Sequence, residues 1–384
     1  MILNGILLVI FLVIAYVLGG QGFFSSFLHM VCVIAAGAIA FACWEPAVYF
    51  LAPKISNATF GDMLWGFLLI AIFTLSLLIL RIITEKVCPA NIHFSTTTNT
   101  LGGWACGFVS ALISTGIVVI GTQMIPGPAD KNAFGGYQGW ALSSQGGQGG
   151  AVIRQTKLWI PADTLTARFY SMASTTSMPV GSDNALSTWH PNLDRQASLL
   201  RLSLDSGKSR QIAKPGDATV TRIIKLGFDT PEAKAAEIRT LSGAADPDTG
   251  SAPTDGDILI VQTSVKSSAF DSTGELRLGK GQVWLVVETY AGSGIYKSVY
   301  PHAFYQRFLT DAATEHRFPF ADADTWAVSI GGASETKFGF EFLVPPNAVP
   351  HHLSIRLARA DLPAVDAATL TRKQMDAMAA KGNW

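Results

Sequence analysis

The feature that most constrains this chain is where charge is missing. No Asp, Glu, Lys or Arg occurs before Glu45, none lies from Met63 to Leu80, and none from Val87 to Ala129. A helix that crosses the roughly 30 Å hydrocarbon layer needs about 20 mainly apolar residues. The gaps predict four spans, at Ile2–Leu18, Phe23–Trp44, Met63–Ile83 and Leu101–Ile125. Breaks fall between them: Gly19-Gly20-Gln21-Gly22, then Pro46 and Pro53, then Cys88-Pro89 leading into the polar run Ser95–Thr100. The first segment has no basic n-region and further spans follow it, so it reads as an uncleaved helix rather than a signal peptide.

Charge is spread as unevenly as hydropathy. Residues 1–125 hold Lys54, Arg81 and Lys86 against Glu45, Asp62 and Glu85, and every other charged side chain lies beyond them. The net charge is zero, so no basic stripe exists to displace phosphate counterions, which argues against a nucleic-acid partner. The densest basic stretch, Arg195 to Lys214, reads as a solvated face. Four spans put both termini on one side. Lys54, Lys131 and the N-terminal amine then face Arg81 and Lys86 across the membrane, and the positive-inside rule is close to a tie.

All four cysteines, Cys32, Cys43, Cys88 and Cys106, lie in the apolar part, so no disulfide framework supports the rest. In a hairpin topology Cys43 and Cys88 fall at opposite membrane faces, too far apart to bond. Gly103, Gly107 and Ala111 of the fourth span lie four residues apart and make a flat stripe where another helix can approach. That stripe is the candidate helix-packing site, either within the four-helix unit or between copies. Asn4, His29, Thr74 and Ser76 are polar groups in or near the spans. His29, with no carboxylate near it in sequence, reads as a hydrogen-bonding group between helices rather than a proton relay.

Residues 1–125 resemble the colicin V production protein (CvpA) family of bacterial inner-membrane proteins. The resemblance is carried by Gly20-Gln-Gly22-Phe23 after a short apolar helix and by Glu45-Pro46 after the second span. Ile55-Ser-Asn57, Arg81 at the end of the third span, and Leu101-Gly-Gly103 with Gly107-Phe-Val complete it. Gln21, Ser25 and Ser110 stand where that family carries arginines. The resemblance implies N-terminus and tail outside the cytoplasm, with the turns at 19–22 and 81–100 inside it.

Residues 126–150, with eight glycines, read as a linker, and 126–254 as a linker and membrane-proximal mixed region. Leu158 to Met172 has roughly helical apolar spacing with Trp159 and Tyr170 beside it, which fits either a helix on the membrane surface or a core helix. Thr230-Pro231-Glu232 opens a short capped helix, with Gly243 beyond its end. From 255 to 361 the pattern turns to strands: Ile258–Val265, Gln282–Thr289, Ile295–Tyr300, Trp326–Ile330, Lys337–Val344 and Leu353–Ala358. Phe338-Gly-Phe340-Glu-Phe342 alternates as a strand with one buried face would. This predicts an all-β sandwich resembling the immunoglobulin-like domains of bacterial envelope proteins, able to fold alone, followed by a C-terminal tail at 362–384 with a helix at Asp366–Lys381.

The chemistry-bearing residues are sparse. His302, His351 and His352 read as surface histidines, because neighbours on a strand point to opposite faces and cannot share an ion. Asp246-Pro-Asp248-Thr-Gly250 with Asp257 mimics a calcium loop but has its glycine one position early and Asp at position twelve. Asp322 and Asp324 read as a turn. No Gly-x-Ser-x-Gly, His-Glu-x-x-His or Cys-x-x-Cys occurs. The expectation is a multi-domain membrane protein with no catalytic, cofactor or metal site: a four-helix anchor, a mixed connecting region and a periplasmic sandwich. It would act by binding lipid, membrane or periplasmic proteins, or copies of itself. The alternative is a subunit of a transport or secretion channel.

Overall fold

The computed structural model describes residues 2–55, 58–88, 92, 94–125, 138–143, 150–176, 185–200, 213–214, 216–241, 247, 251, 253–270, 274–308, 311–321, 325–329, 334–363 and 368–375. The chain divides into two compact units. One comprises Met1–Gly139, Thr156–Ser187 and Asn192–Ser198; the other comprises Trp140–Gln155, Thr188–Pro191 and Leu199–Trp384. The calcium-loop mimic at 246–250 (Pro247 apart), the Asp322/Asp324 turn, most of the glycine linker and residues 376–384 lie outside the described residues.

The first unit is helical: α1 (Ile2–Gly19), α2 (Phe23–Leu51), α3 (Ala58–Val87), α4 (Thr96–Met124) and a shorter α5 (Ala162–Thr176). Among the described residues, three helices are long and apolar enough to cross a membrane: Phe23–Lys54, Phe60–Val87 and Thr96–Met124. Asn4–Gly19 is a shorter apolar helix. Two expected breaks are absent. Pro46 lies inside α2, which continues to Leu51. A proline removes one backbone hydrogen bond, and apolar Val48, Tyr49, Phe50 and Leu51 carry the helix on. The polar run after Phe94 is a helix start rather than a loop: the Ser95 hydroxyl caps α4 by accepting from the Thr98 amide at 3.3 Å.

Helices successive in the chain run antiparallel, whereas α2 and α4 run parallel, with Phe23 beside Gly102 and Gly37 beside Ile117. On α2 and α3, Trp44 donates its indole N–H to the Trp65 carbonyl at 2.8 Å, the two rings packing edge to face with centroids 5.1 Å apart. The Cys32 sulfur lies 3.2 Å from the Thr84 hydroxyl further along the same pair. On α3 and α4, Gly66 and Gly121 face each other so closely that a Cβ on Gly66 would overlap the Gly121 carbonyl. The outward faces stay apolar. α1 buries Phe11, Ala15 and Leu18 and exposes Val9, Val13, Tyr16 and Val17, the reverse of the water-exposed side of a soluble helix.

The second unit is strand-rich. A hairpin of β1 (Trp140–Leu142) and β2 (Val152–Arg154) stands apart from the larger sheets. Two helical segments shared between the units, α6 (Leu186–Trp189) and α7 (Leu193–Leu200, mostly in the first), precede β3 (Ala218–Leu226) and α8 (Pro231–Thr240). Thr230 caps α8 by accepting from the Ala233 amide at 3.2 Å, with Pro231 in the first turn, as the sequence suggests. Next come β4 (Asp257–Lys266), β5 (Leu276–Gly279), β6 (Val283–Glu288), β7 (Tyr296–Val299), β8 (Ala303–Phe308) and β9 (Asp311–Pro319). The last five strands are β10 (Trp326–Ser329), β11 (Glu335–Val344), β12 (Val349–Ile355), β13 (Ala358–Asp361) and β14 (Ala368–Leu370).

A six-stranded sheet runs β14-β3-β4-β11-β8-β9 and a four-stranded sheet runs β13-β12-β6-β7, with β5 and β10 paired separately. One apolar core joins the two larger sheets: Val261, Phe338, Phe340 and Phe342 pack with Val283, Leu285, Leu353 and Ile355. The larger sheet takes in β3 and β14, both outside the 255–361 segment expected to be the whole sandwich. The segment Leu353–Ala358 is not one strand. It turns at Arg356 and Leu357, whose φ values are 51° and 67°. Such left-handed pairs make tight hairpins and normally hold Asn or Gly. Here the buried Arg356 guanidinium anchors the turn by donating to the Ala269 and Arg277 carbonyls.

The Phe338–Phe342 strand is also not one-faced, because every residue in it is buried. Its phenylalanines enter the inter-sheet core. On the sheet's other face Ile224, Ile258, Ile260 and Tyr305 are covered by Ile238 of α8 and by Met375. Glu341 is therefore shut inside the fold.

Candidate functional site

A dense polar constellation is built around Glu341 on β11, which is 0% exposed. His302 Nε2 lies 2.6 Å from Oε1, and the Tyr305 hydroxyl donates to Oε2 at 2.6 Å. Arg317 on β9 donates through Nε at 3.0 Å and Nη2 at 2.8 Å. Arg372 donates at 3.3 Å to each oxygen and also pairs with Glu237 of α8. Strand pairing brings these groups together: β8 lies between β9 and β11, with Tyr305 opposite Gly339 and Arg317.

Burial acts to raise the Glu341 pKa, but the bonds from His302 and Arg317 outweigh it and hold the carboxyl well below its usual range. The ionised carboxylate sets the His302 tautomer: Nε2 carries the proton and donates. Burial, opposed by Glu341, leaves His302 with a lowered pKa, hence neutral at pH 7. Both carboxylate oxygens are fully engaged, so Glu341 has no open acceptor for a substrate proton. The group acts as a clamp tying β8, β9, β11, α8 and the helical segment that holds Arg372.

A second cluster lies on β12. His351 is an extra residue in the ladder with β6, a bulge between Pro350 and His352. The bulge undoes the expected alternation and brings both imidazoles together, with Nδ1 atoms 3.0 Å apart. Trp189 packs on both rings, with centroids 5.4 Å from His351 and 4.6 Å from His352, and Arg359 stacks on Trp189 at 3.7 Å. His302 and His352 are buried, not surface groups as the sequence suggested. Burial, helped by His351 and His190, pushes His352 down to about 3. Lys280 is buried too, which brings its ammonium down to about 7.

These shifts share one sign. A base whose pKa is lowered on folding binds fewer protons folded than unfolded, so stability rises with pH between the two values. For His352 that window runs from about 3 to 6.5, and for Lys280 from about 7 to 10.5. Moving from pH 7 to 5 should cost about 2 kcal/mol through His352, and moving from pH 7 to 9 should add about 2 kcal/mol through Lys280. Thermal unfolding of the strand-rich unit should therefore shift upward in sequence at pH 5, 7 and 9. A midpoint that is flat over this range would contradict the buried neutral states.

The stripe read from the fourth span lies against α1. A Cβ on Gly103 would sit 2.7 Å from the Gly19 carbonyl oxygen, and one on Gly107 2.8 Å from that of Ala15. Ala111 packs with Phe11 and Ala15. Cys32 and Cys106 are buried, Cys43 and Cys88 exposed, and all four are free thiols. His29 lies within electrostatic reach of Arg81 and Glu85, so a carboxylate is near it in space though not in sequence. The hairpin of α2 and α3 brings residues 29 and 85 to one level, which sequence separation hides. Among the described residues no three His, Cys, Asp or Glu side chains converge as metal ligands would. The Glu341 clamp escaped sequence reading because its members are spread from Glu237 to Arg372. The one local signal was a glutamate between two phenylalanines in a strand. No family model, no curated protein and no solved structure matches the chain.

Proposed function

We propose that the chain is a non-enzymatic, multi-pass protein of a bacterial inner membrane, of the colicin V production protein type. In this reading its strand-rich tail works in the periplasm, binding protein partners or joining an envelope assembly. The observation that carries the reading is the inverted surface of the helical unit. Large apolar side chains such as Val13, Tyr16, Phe67, Leu75 and Leu78 point outward, while glycines and alanines pack inside. Lipid rewards that arrangement and water penalises it. The outward face of α1 supports its assignment as a fourth span, 18 residues long. The two sheets over a common core, antiparallel except where β14 joins β3 in parallel, support an immunoglobulin-like tail, with β11 set between β4 and β8 by non-local connections. The saturated hydrogen bonding of Glu341 supports a binding rather than a catalytic role.

Topology and partnership are tested together. In a variant with Cys32, Cys43, Cys88 and Cys106 replaced by alanine, a cysteine at exposed Tyr290 should react with a membrane-impermeant maleimide in intact spheroplasts. Reaction only after lysis would put the tail in the cytoplasm. Purified in mild detergent, the full chain should carry partner proteins with it in fixed ratio. A lone monomer that binds nothing would remove the assembly role.

A further inference from the structure

We propose that α5 is a re-entrant helix: it dips into the bilayer from the side where α4 ends, seats in a glycine-cut groove between α2 and α4, and presents Leu165 and Met172 to lipid acyl chains. The proposal rests on the membrane reading of α2–α4 above.

The groove is made by two glycines. A Cβ on Gly37 of α2 would overlap the Tyr170 hydroxyl, and one on Gly116 of α4 would overlap Thr166 and the Ala162 carbonyl. The Tyr170 hydroxyl donates to the Ile34 carbonyl at 3.0 Å and its ring packs on Phe41 with centroids 5.0 Å apart. Thr166 donates to the Leu112 carbonyl at 3.3 Å. At 1.5 Å per residue, Ile34 lies about 16 Å along α2 from its first residue, well inside a hydrocarbon layer roughly 30 Å thick. Helical carbonyls keep a second lone pair, so α5 can use them without breaking the α2 or α4 ladders.

The side-chain pattern of α5 also suits lipid. Ala162, Thr166, Ala167, Tyr170 and Ala173 are buried, whereas Leu165 is 43% and Met172 60% exposed. Thr175 is exposed as well and Ser171 and Ser174 are partly covered, so the outward side mixes two large apolar groups with small hydroxyls. Val31 and Ile39 on α2 and Val109 and Val118 on α4, the two helices that form the groove, are exposed apolar side chains as well, which fits acyl chains as the occupant. Arg168 also points outward, between Leu165 and Met172. Helical side chains lean toward the helix N-terminus, so its guanidinium can snorkel back to the headgroups at the mouth of the groove.

Two bonds mark that mouth. Gln123, in the last turn of α4, donates to buried Asp163 in the first turn of α5 at 3.2 Å. The Thr164 hydroxyl donates to Asp194 at 2.9 Å, so the chain beyond α5 has come back to where α5 began. The helix enters and leaves on one side, and the number of crossings stays even.

The test uses the full chain in liposomes, with the four native cysteines replaced by alanine and single nitroxide-labelled cysteines at Met172, Val13 or Tyr290. A label at Met172 should collide with oxygen several-fold more than with a water-soluble nickel chelate, matching Val13 and opposing Tyr290. If Met172 behaves like Tyr290 while Val13 stays protected, α5 is outside the bilayer and the proposal falls, with the membrane reading intact. If Val13 is open to nickel as well, the membrane reading itself falls. A Met172 label that is immobile and shielded from both reagents would mean that protein, not lipid, covers α5, which also rejects the proposal.

Discussion

Replacing Glu341 with alanine should destabilise the strand-rich unit by about 3–5 kcal/mol, a large part of the 5–15 kcal/mol that holds a typical domain. The substitution leaves a cavity beneath β11 and removes the acceptor for three kinds of donor. His302 and Tyr305 are buried and have no water to turn to. Arg317 and Arg372 are about a third exposed, so they can swing toward solvent and soften the loss. The lower end of the range is therefore expected. Glutamine should not rescue the site, because its amide group would face the donors of Arg317 at one of the two oxygen positions. Equilibrium urea unfolding of the full-length protein in detergent checks this, read by the strand signal in circular dichroism. A change below about 1 kcal/mol would mean that the clamp contributes specificity but little net stability.

The helical part was the more legible half because one physical rule, the exclusion of charge from hydrocarbon, acts on long continuous stretches. The four expected spans fall on α1, α2, α3 and α4. The ends were misplaced where local punctuation misled: Pro46 is carried within α2, and the polar threonines after Ser95 belong to a capped first turn. In the strand-rich part, apolar runs such as Ile258–Val265 and Val283–Val287 could be found from their own residues. β8 and β9 could not, because Gln306, His316 and Arg317 look like loop residues until Glu341 is placed beside them. The hairpin at Arg356-Leu357 carries none of the usual turn residues, since a buried guanidinium rather than glycine holds it. The groove for α5 was hidden for a different reason. Gly37 and Gly116 sit in segments full of small residues, and what fills the space above them comes from residues 162–170, far along the chain.

Gly107→Leu should cost the helical unit its folded state, since the glycine stripe of α4 abuts backbone rather than flexible side chains. The nearest atoms to a new Cβ at Gly107 are the Ala15 carbonyl oxygen at 2.8 Å and the Gly19 amide nitrogen at 3.1 Å. Neither can rotate away, so α1 must move outward as a body, and the larger leucine forces it further. In lipid there is little hydrophobic drive between helices, and close packing supplies much of their association. Separating α1 from α4 would also open the contacts of Phe11 and Ala15 with Ala111. Gly5 provides the matched control, because a Cβ there meets nothing within 4 Å. Gly5→Leu should express and purify at the normal level, whereas Gly107→Leu should be lost to degradation or aggregate in mild detergent. If Gly107→Leu instead yields intact protein of unchanged size that has lost only its co-purifying partners, the stripe is an assembly surface and α1 is held elsewhere. If level, size and partners are all unchanged, the face meets lipid, and the interaction role rests on the strand-rich tail alone.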